Sequence, residues 1–532
     1  MNTEIELKFL VLNKDVNEQT ANKITQLLKE KKYTFFCQEK ELINSYFDTS
    51  DLQLRQLDMG LRVRTSIDQL GNRALEQTIK TSGKIIGGLH QRPEYNVDIN
   101  TNFPVLSQFP QSIWPDNQNI ENLQNQLVSI FTTNFKRLFW QITIEGLNGQ
   151  QSEIELVFDQ GTIETHGKKE ALCEIELELV NGSLSDLLIL AKVLCFGLKI
   201  RPGIKSKAAR GYGLWQKDIT NIPANIERNT EYQKEVNTLA NLALIPLNFP
   251  KNLNQVFIHG IDFGLMKVQK LVDAYSENPS LAILNEITEI LALLRQGFWL
   301  FEYCLDEKMK KLRNELSFFI KKLHWVEGAC HLKELTTKTG NYRAKLHYSD
   351  SLIIQLKSEK NNFPNSEEII ELFHTARFNR LQLSLLEILL SVEDIIDQGK
   401  ISEDLVAVNN FAQSSLESSL QCLIQIMPKE GAFSAQQYLA HHKLLIRSLL
   451  TGSWFGSLFD KASRLAFRNP WLDIKHGVSE LQTILLLQQQ LLKLDDRDEK
   501  LERWLESKIE HLLLTLEQSR NLAVLMLPYW RN

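Results

Sequence analysis

From Thr3 to Phe9 the chain reads Thr-Glu-Ile-Glu-Leu-Lys-Phe, a strict alternation of polar and apolar side chains. In an extended strand, successive side chains point to opposite faces. Glu4, Glu6 and Lys8 then share one face, and Ile5, Leu7 and Phe9 share the other. The pattern returns down to about residue 210. Arg62 and Arg64 alternate with Leu61 and Val63; Glu76, Thr78 and Lys80 share a face, as do Arg92 and Glu94, and Glu153, Glu155 and Asp159. Glu174, Glu176 and Glu178 alternate with Ile175, Leu177 and Leu179, and Arg137 lies in a further segment of this kind. Turn signals at Gly71-Asn72, Gly87-Gly88, Asn148-Gly149 and Asn181-Gly182 separate the runs. Strands are expected over 3–11, 35–47, 59–66, 73–82, 89–98, 134–145, 152–159 and 171–180, with helices over 15–31 and 184–196. Eight antiparallel strands in one domain favour a closed barrel, which leaves no edge exposed.

The signs of the charges carry the functional argument. A solvated sheet face mixes both signs along each strand. Here they are sorted by segment: acidic at 4–6, 153–159 and 174–178, basic at 62–64 and 207–210. Buried charges are tolerated when they are paired or bound to metal. A tunnel with an acidic and a basic side meets that condition when a metal ion and a polyanion lie between the sides. Carboxylates are hard oxygen ligands suited to Mg²⁺, which takes its remaining ligands from phosphate and water. Arginine forms bidentate bonds to phosphate oxygens. The chain has no Gly-x-x-x-x-Gly-Lys-Ser/Thr loop, so P-loop chemistry is excluded. No Cys or Ser nucleophile with a paired His is evident, so no phosphoenzyme is expected.

At 532 residues the chain is too long for one core, and two to four domains are expected. The texture changes near 216–235. Beyond it glycine is sparse and helical periodicity dominates, as in Leu281–Leu305, Glu367–Gln398, Ala435–Leu450, Leu481–Leu494 and Lys500–Gln518. The fold class is therefore α+β: a β-barrel tunnel domain over 1–215, a linker over 216–230 and an all-α domain over 231–532. Asn361–Asn365, with Pro364, is a candidate joint between two helical bundles. A net charge of −5 does not favour general nucleic-acid binding. The six cysteines form no Cys-x-x-Cys pair, and free, mostly buried thiols in a reducing cytoplasm are expected. No apolar signal core and no uncharged apolar run of 18 or more residues is present, so neither a membrane span nor a membrane partner is expected.

An ordered set of motifs resembles one family. Glu-x-Glu-x-Lys at 4–8 is similar to the signature of the CYTH domain, the triphosphate tunnel metalloenzymes. Met59–Arg64, Thr78–Lys80, Gly87–Tyr95, Asp159–Gly161, Cys173–Leu179 and Ser206–Tyr212 resemble the family's other segments, in its order. The helical remainder resembles the CHAD domain of bacterial CYTH–CHAD inorganic triphosphatases, with His441, His442, Lys443 and Arg447 as the matching cluster. The resemblance implies metal-dependent hydrolysis of inorganic tripolyphosphate to diphosphate and phosphate, with Mg²⁺ or Mn²⁺. It implies metal ligation by Glu4, Glu6, Glu176 and Glu178, with Asp159 beside a metal or the attacking water and Glu174 on the same face. Lys8, Arg62, Arg64, Lys80, Arg137 and Lys207 would hold phosphates, with Arg92 and Arg210 as further candidates. Glu4, Glu6, Lys8 and Asp159 would form the catalytic group. Polyphosphate is a candidate partner of the helical domain. The alternatives are a class IV adenylate cyclase, a thiamine triphosphatase, or a polyphosphate-binding module without turnover.

Overall fold

The computed structural model of the chain describes residues 2–12, 17–116, 118–146, 149–219, 242–247, 250, 252–338, 340–391, 405–495 and 498–531. Two compact units result: Met1–Tyr232 with Glu371–Glu387, and Gln233–Ile370 with Ile388–Asn532. The expected linker lies, beyond residue 219, outside the described residues. So do Asn148, residues 15–16 of the expected first helix and residues 392–398 of the expected Glu367–Gln398 helix.

The first unit is built on β1 (Asn2–Val11), β2 (Thr34–Thr49), β3 (Gly60–Ile67), β4 (Arg73–Lys80), β5 (Lys84–Ile86), β6 (Leu89–Asp98), β7 (Leu127–Glu145), β8 (Gln151–Thr165), β9 (Lys168–Asn181) and β10 (Ile200–Pro202). The antiparallel order β1-β9-β8-β7-β2-β3-β4-β6 closes on itself. β1 pairs with β9 through Glu6–Leu10 and with β6 through Asn2–Leu7. Eight strands thus make a ring, as expected. β5 extends the sheet from β6, and β10 pairs with the end of β1. These two three-residue strands are too short for alternation to signal.

The ring reverses the usual arrangement of a half-buried sheet, with its charged faces turned inward. Leu61, Val63 and Ile79 lie on the outer face and pack with Leu106, Phe109, Trp114 and Leu123. Those residues come from the segment that crosses outside β3 and β4, including helix α3 (Ile120–Asn125). Elsewhere α1 (Asn17–Glu30) packs on α4 (Leu184–Gly197), and α4 packs on β9. Burial of these apolar faces at ~25 cal/mol per Å² is what allows charges to be held inside.

Two helices complete the ring's ends. α2 (Gln53–Gln56) sits between β2 and β3 and is fixed by buried Asp48, whose carboxylate accepts from the backbone N–H of Thr49, Leu54 and Arg55. α5 (Lys207–Ile219), absent from the elements expected, fills the ring beside Phe131 and Phe135 with Tyr212 and Trp215. Gly211 is required there, because a Cβ at that position would lie 2.2 Å from the Phe131 ring. The close approach brings Lys207, at the start of α5, into the charged interior.

The second unit is helical. It holds α6 (Leu253–Glu277), α7 (Leu281–Leu300), α8 (Glu307–Lys322), α9 (Trp325–Thr336), α10 (Asn341–Lys345) and α11 (Asp350–Lys360). α12 (Ser366–Phe373) and α13 (Ala376–Leu389) run across the boundary between units, and α14 (Leu405–Ile426), α15 (Ala435–Phe455), α16 (Lys461–Leu491) and α17 (Glu499–Leu525) complete the second. One core cluster joins α9, α11, α16 and α17 through Leu332, Leu356, Ile484, Leu487 and Leu505. Another centres on Trp454, packed on Phe257 and Phe301. The single helix expected over Glu367–Gln398 is broken after Phe373, where Thr375 Oγ1 accepts from Phe378 N–H and starts α13. Residues 361–365 do separate two helices, α11 and α12.

All six cysteines are free, but only Cys195 and Cys304 are buried. Cys37 and Cys422 are exposed, against the expectation of mostly buried thiols. Among the described residues no helix is long and apolar enough to cross a membrane.

Candidate active site

The ring encloses a cavity of about 710 Å³. Its wall is a ladder of cross-strand charge pairs fixed by register. Lys8 lies opposite Glu176, Glu4 opposite Arg92, Lys80 opposite Glu94, and Arg137 opposite Asp159. One row contains no cation. Glu155 on β8 faces Glu178 on β9, Glu178 faces Glu6 on β1, and Glu6 faces His90 on β6.

At the back of the cavity the charges are fully paired. Arg137 donates to Asp159 through Nε and Nη2, both at 2.7 Å, and through Nη2 to Glu176 at 3.2 Å. Lys207 Nζ lies 2.8 Å from Asp159, 2.5 Å from Glu174 and 2.9 Å from Glu176. Lys8 Nζ bonds Glu176 and also reaches Glu174 at 3.2 Å. Arg210 closes the group from α5, at 3.2 Å from Glu174 and 2.8 Å from Glu170. Burial opposes ionisation of Asp159, yet Arg137 and Lys207 hold its carboxyl below the usual range. Burial likewise opposes ionisation of Glu176, and Lys207, Lys8 and Arg137 hold it well below. Carboxylate oxygens of Asp159, Glu174 and Glu176 lie within 4.8 Å of one another, a spacing that can hold a metal ion.

Toward the open cavity the balance fails. Lys80 bonds Glu4 and lies 3.0 Å from Glu94, which Arg62 also reaches at 3.2 Å. Beyond these pairs, among the described residues, Glu155 and Glu178 have no ion-pair partner, and neither do Arg64 and Arg92. Burial, then Glu4 and Glu155, push the Glu178 carboxyl up to about 8. Burial pushes Glu4 up to about 7 despite Lys80. Arg64 donates only to Asn44 Oδ1, at 2.8 Å, and burial beside Arg62 and Arg137 pushes its guanidinium down to about 9. Arg62 Nε, Arg92 Nε and His90 Nε2 are buried without a partner. Uncompensated charges of both signs therefore face one cavity.

Residues 2–212 match the family model of the CYTH domain. The chain is 35% identical over 219 residues to an inorganic triphosphatase of Haemophilus influenzae, a match covering 41% of this chain and 56% of that protein. It thus spans about half the length of the curated relative. Among solved structures it is similar to a putative adenylyl cyclase from Hippeastrum described as having a dominant triphosphatase activity (18% identity, 40% of this chain and 96% of that one, TM-score 0.28). It is also similar to the CHAD domain of Ricinus communis (13% identity, 54% of this chain and 97% of that one, TM-score 0.38).

The ring brings most of the candidate residues to one cavity wall: Glu4, Glu6, Lys8, Arg62, Arg64, Lys80, Arg92, Arg137, Glu176, Glu178 and Lys207. Asp159, Glu174 and Arg210 stand behind that wall and act on it through ion pairs. His90, Asn96, Tyr46 and Arg55 also line the cavity and were not singled out by sequence. His90 and Asn96 share the parity of Arg92 and Glu94, so alternation could have found them. Tyr46 carries no charge to signal its face, and Arg55 comes from the α2 turn, where alternation says nothing.

Proposed function

We propose that this chain hydrolyses inorganic tripolyphosphate to diphosphate and phosphate inside the CYTH ring, with Mg²⁺ or Mn²⁺ as cofactor. The observation that supports this most is the coexistence of unpaired Arg64 and Arg92 with unpaired Glu178 and Glu155 around one cavity. A linear polyanion accompanied by a divalent cation neutralises both sets at once. Phosphoryl transfer needs charge neutralisation and in-line positioning more than covalent chemistry.

The donor set fits such a cation. Glu4, Glu6 and Glu178 offer hard oxygen ligands on the cavity side, where burial first, and then the neighbouring Glu4 and Glu155 carboxylates, raise Glu178. The charge of the deeper Asp159, Glu174 and Glu176 group is already met by Lys8, Lys207 and Arg137. Glu178 has no ion-pair partner among the described residues, whereas Glu4 pairs with Lys80 and Glu6 lies 3.6 Å from Lys8; we place the cation at Glu178 with Glu4 and Glu6 beside it, where it would neutralise phosphate oxygens. Arg62, Arg64, Arg92 and Lys80 bind the phosphates, and Arg137, Lys8 and Lys207 hold the far end of the chain. Asp159 and Glu174 position those three cations. A water attacking the terminal phosphorus breaks the bridging P–O bond, and its proton passes to a carboxylate of the Glu155–Glu178–Glu6 row.

The helical region over 231–532 is read as a CHAD-like domain with polyphosphate as its candidate ligand, on the sequence resemblance at His441–Arg447. A cytoplasmic location is in keeping with six free cysteines.

Phosphorus NMR of the full chain incubated with Mg²⁺ and tripolyphosphate, ATP or thiamine triphosphate tests the reading. Diphosphate and phosphate from tripolyphosphate, with ATP consumed poorly, is the expected result. Cyclic AMP and diphosphate from ATP would replace the hydrolase with a cyclase.

A further inference from the structure

We infer that His90 is a nitrogen ligand in the cation site of the tunnel, making it a mixed carboxylate–imidazole site that favours Mn²⁺-class ions over Mg²⁺. The inference rests on the tunnel reading above and gives a role to a residue of the Gly87–Tyr95 segment that had been assigned none.

Position is the first support. The turn between β5 and β6 consists of Gly87 and Gly88, with φ of 55° and 94°. Two left-handed residues in a two-residue hairpin fix the register of both strands. The pairing Ile86 with Leu89 follows, and it places His90 opposite Glu6 across the β1–β6 ladder. His90 therefore ends the Glu155–Glu178–Glu6 row, in which every side chain is a ligand donor and none a cation.

The second support is independent of the acids. His90 is 4% exposed, lines the cavity, and its Nε2 is buried without a hydrogen-bond partner. A buried polar atom left unpaired costs on the order of 1–3 kcal/mol, so a persistent one in a cavity-lining residue points to a missing ligand. Imidazole nitrogen suits transition ions, whereas Mg²⁺ keeps to oxygen. The nearest cations stand two residues along on either strand: Arg92 beyond His90, and Lys8, whose Nζ lies 3.6 Å from Glu6.

Electron spin-echo envelope modulation of the full chain loaded with Mn²⁺, without substrate, reads the ligand directly. The expected spectrum carries ¹⁴N modulation that disappears in His90→Ala, with Mn²⁺ affinity falling at least about tenfold and Mg²⁺ affinity changing less. Mn²⁺ that binds and is weakened by Glu6→Gln, yet carries no ¹⁴N modulation in the wild-type chain, overturns the His90 assignment and leaves the tunnel reading standing. Modulation that persists in His90→Ala overturns it as well. Mn²⁺ binding indifferent to both Glu4→Gln and Glu6→Gln overturns the cation site itself. Absence of ¹⁴N modulation in the wild-type spectrum overturns the assignment even if a variant fails to fold.

Discussion

At the scale of single residues, some charges in the ring hold it together and others await a ligand. Arg137 and Lys207 belong to the first kind before substrate arrives, since together they pair buried Asp159, and they would also meet the far end of the phosphate chain. Arg64 belongs to the second, because its recorded partner is the neutral Asn44. Arg64→Ala is expected to leave thermal stability nearly unchanged and to raise KM for tripolyphosphate by roughly 10–100-fold, the worth of a charge-assisted bond to phosphate. An unchanged KM in steady-state kinetics would remove Arg64 from the binding set. Glu178 makes a pH-dependent prediction. With its carboxyl pushed up to about 8, protons compete with a cation below that pH. Cation affinity should therefore strengthen as pH rises toward about 8 and level off above it, with proton uptake into the buffer on binding at neutral pH. Calorimetric titration at several pH values checks this, and a Glu178→Gln chain should lose the upper part of the dependence. Alternation made the inward face of these residues legible. It could not tell lining residues from those behind the wall, because parity gives the face and not the depth: Glu174 and Glu178 share a face, yet Glu178 lines the cavity and Glu174 does not.

At the scale of elements, strands were legible wherever an alternating run was long enough to count. Each expected range falls on a ring strand, because outward apolar faces and inward charged faces impose the same period on each, but β7 starts at Leu127 and β8 runs to Thr165, well beyond the expected 134–145 and 152–159. α5 escaped notice because its sequence, Lys207-Ala208-Ala209-Arg210-Gly211-Tyr212-Gly213, carries two glycines that weaken a helical reading. Gly211 is there for packing. Gly211→Val would set a side chain against the Phe131 ring and drive α5 outward, costing about 1–3 kcal/mol and withdrawing Lys207 from Asp159 and Glu174. A lower melting temperature together with reduced turnover is the expected outcome. A variant with unchanged melting and kinetics would show that α5 does not position Lys207.

At the scale of the whole molecule, the chain order hides one feature of the first unit. Glu371–Glu387, far along the sequence, belongs to that unit. Asn379 Nδ2 donates to the carbonyl of Ile200 on β10 at 2.6 Å, and Lys192 on α4 meets Glu387 at 2.7 Å. β10 in turn pairs with the end of β1, the strand carrying Glu4, Glu6 and Lys8. Nothing in the local pattern of α13 distinguishes it from the other amphipathic helices, so this insertion was not legible. A chain ending at residue 232 lacks α13 and should melt at a lower temperature than the first unit does in the full chain, as followed by hydrogen exchange of the β1 and β9 backbone amides over a temperature series. Equal melting would mean that α13 adds nothing to the ring.

The central claim is that the ring's unpaired charges are completed together by a triphosphate and a divalent cation. Phosphate release from tripolyphosphate by the full chain, titrated with Mg²⁺ and then quenched with EDTA, tests it most directly. Turnover that rises from nothing with Mg²⁺ and stops with EDTA is the predicted result, and turnover indifferent to both, or none at any Mg²⁺ concentration, would contradict it.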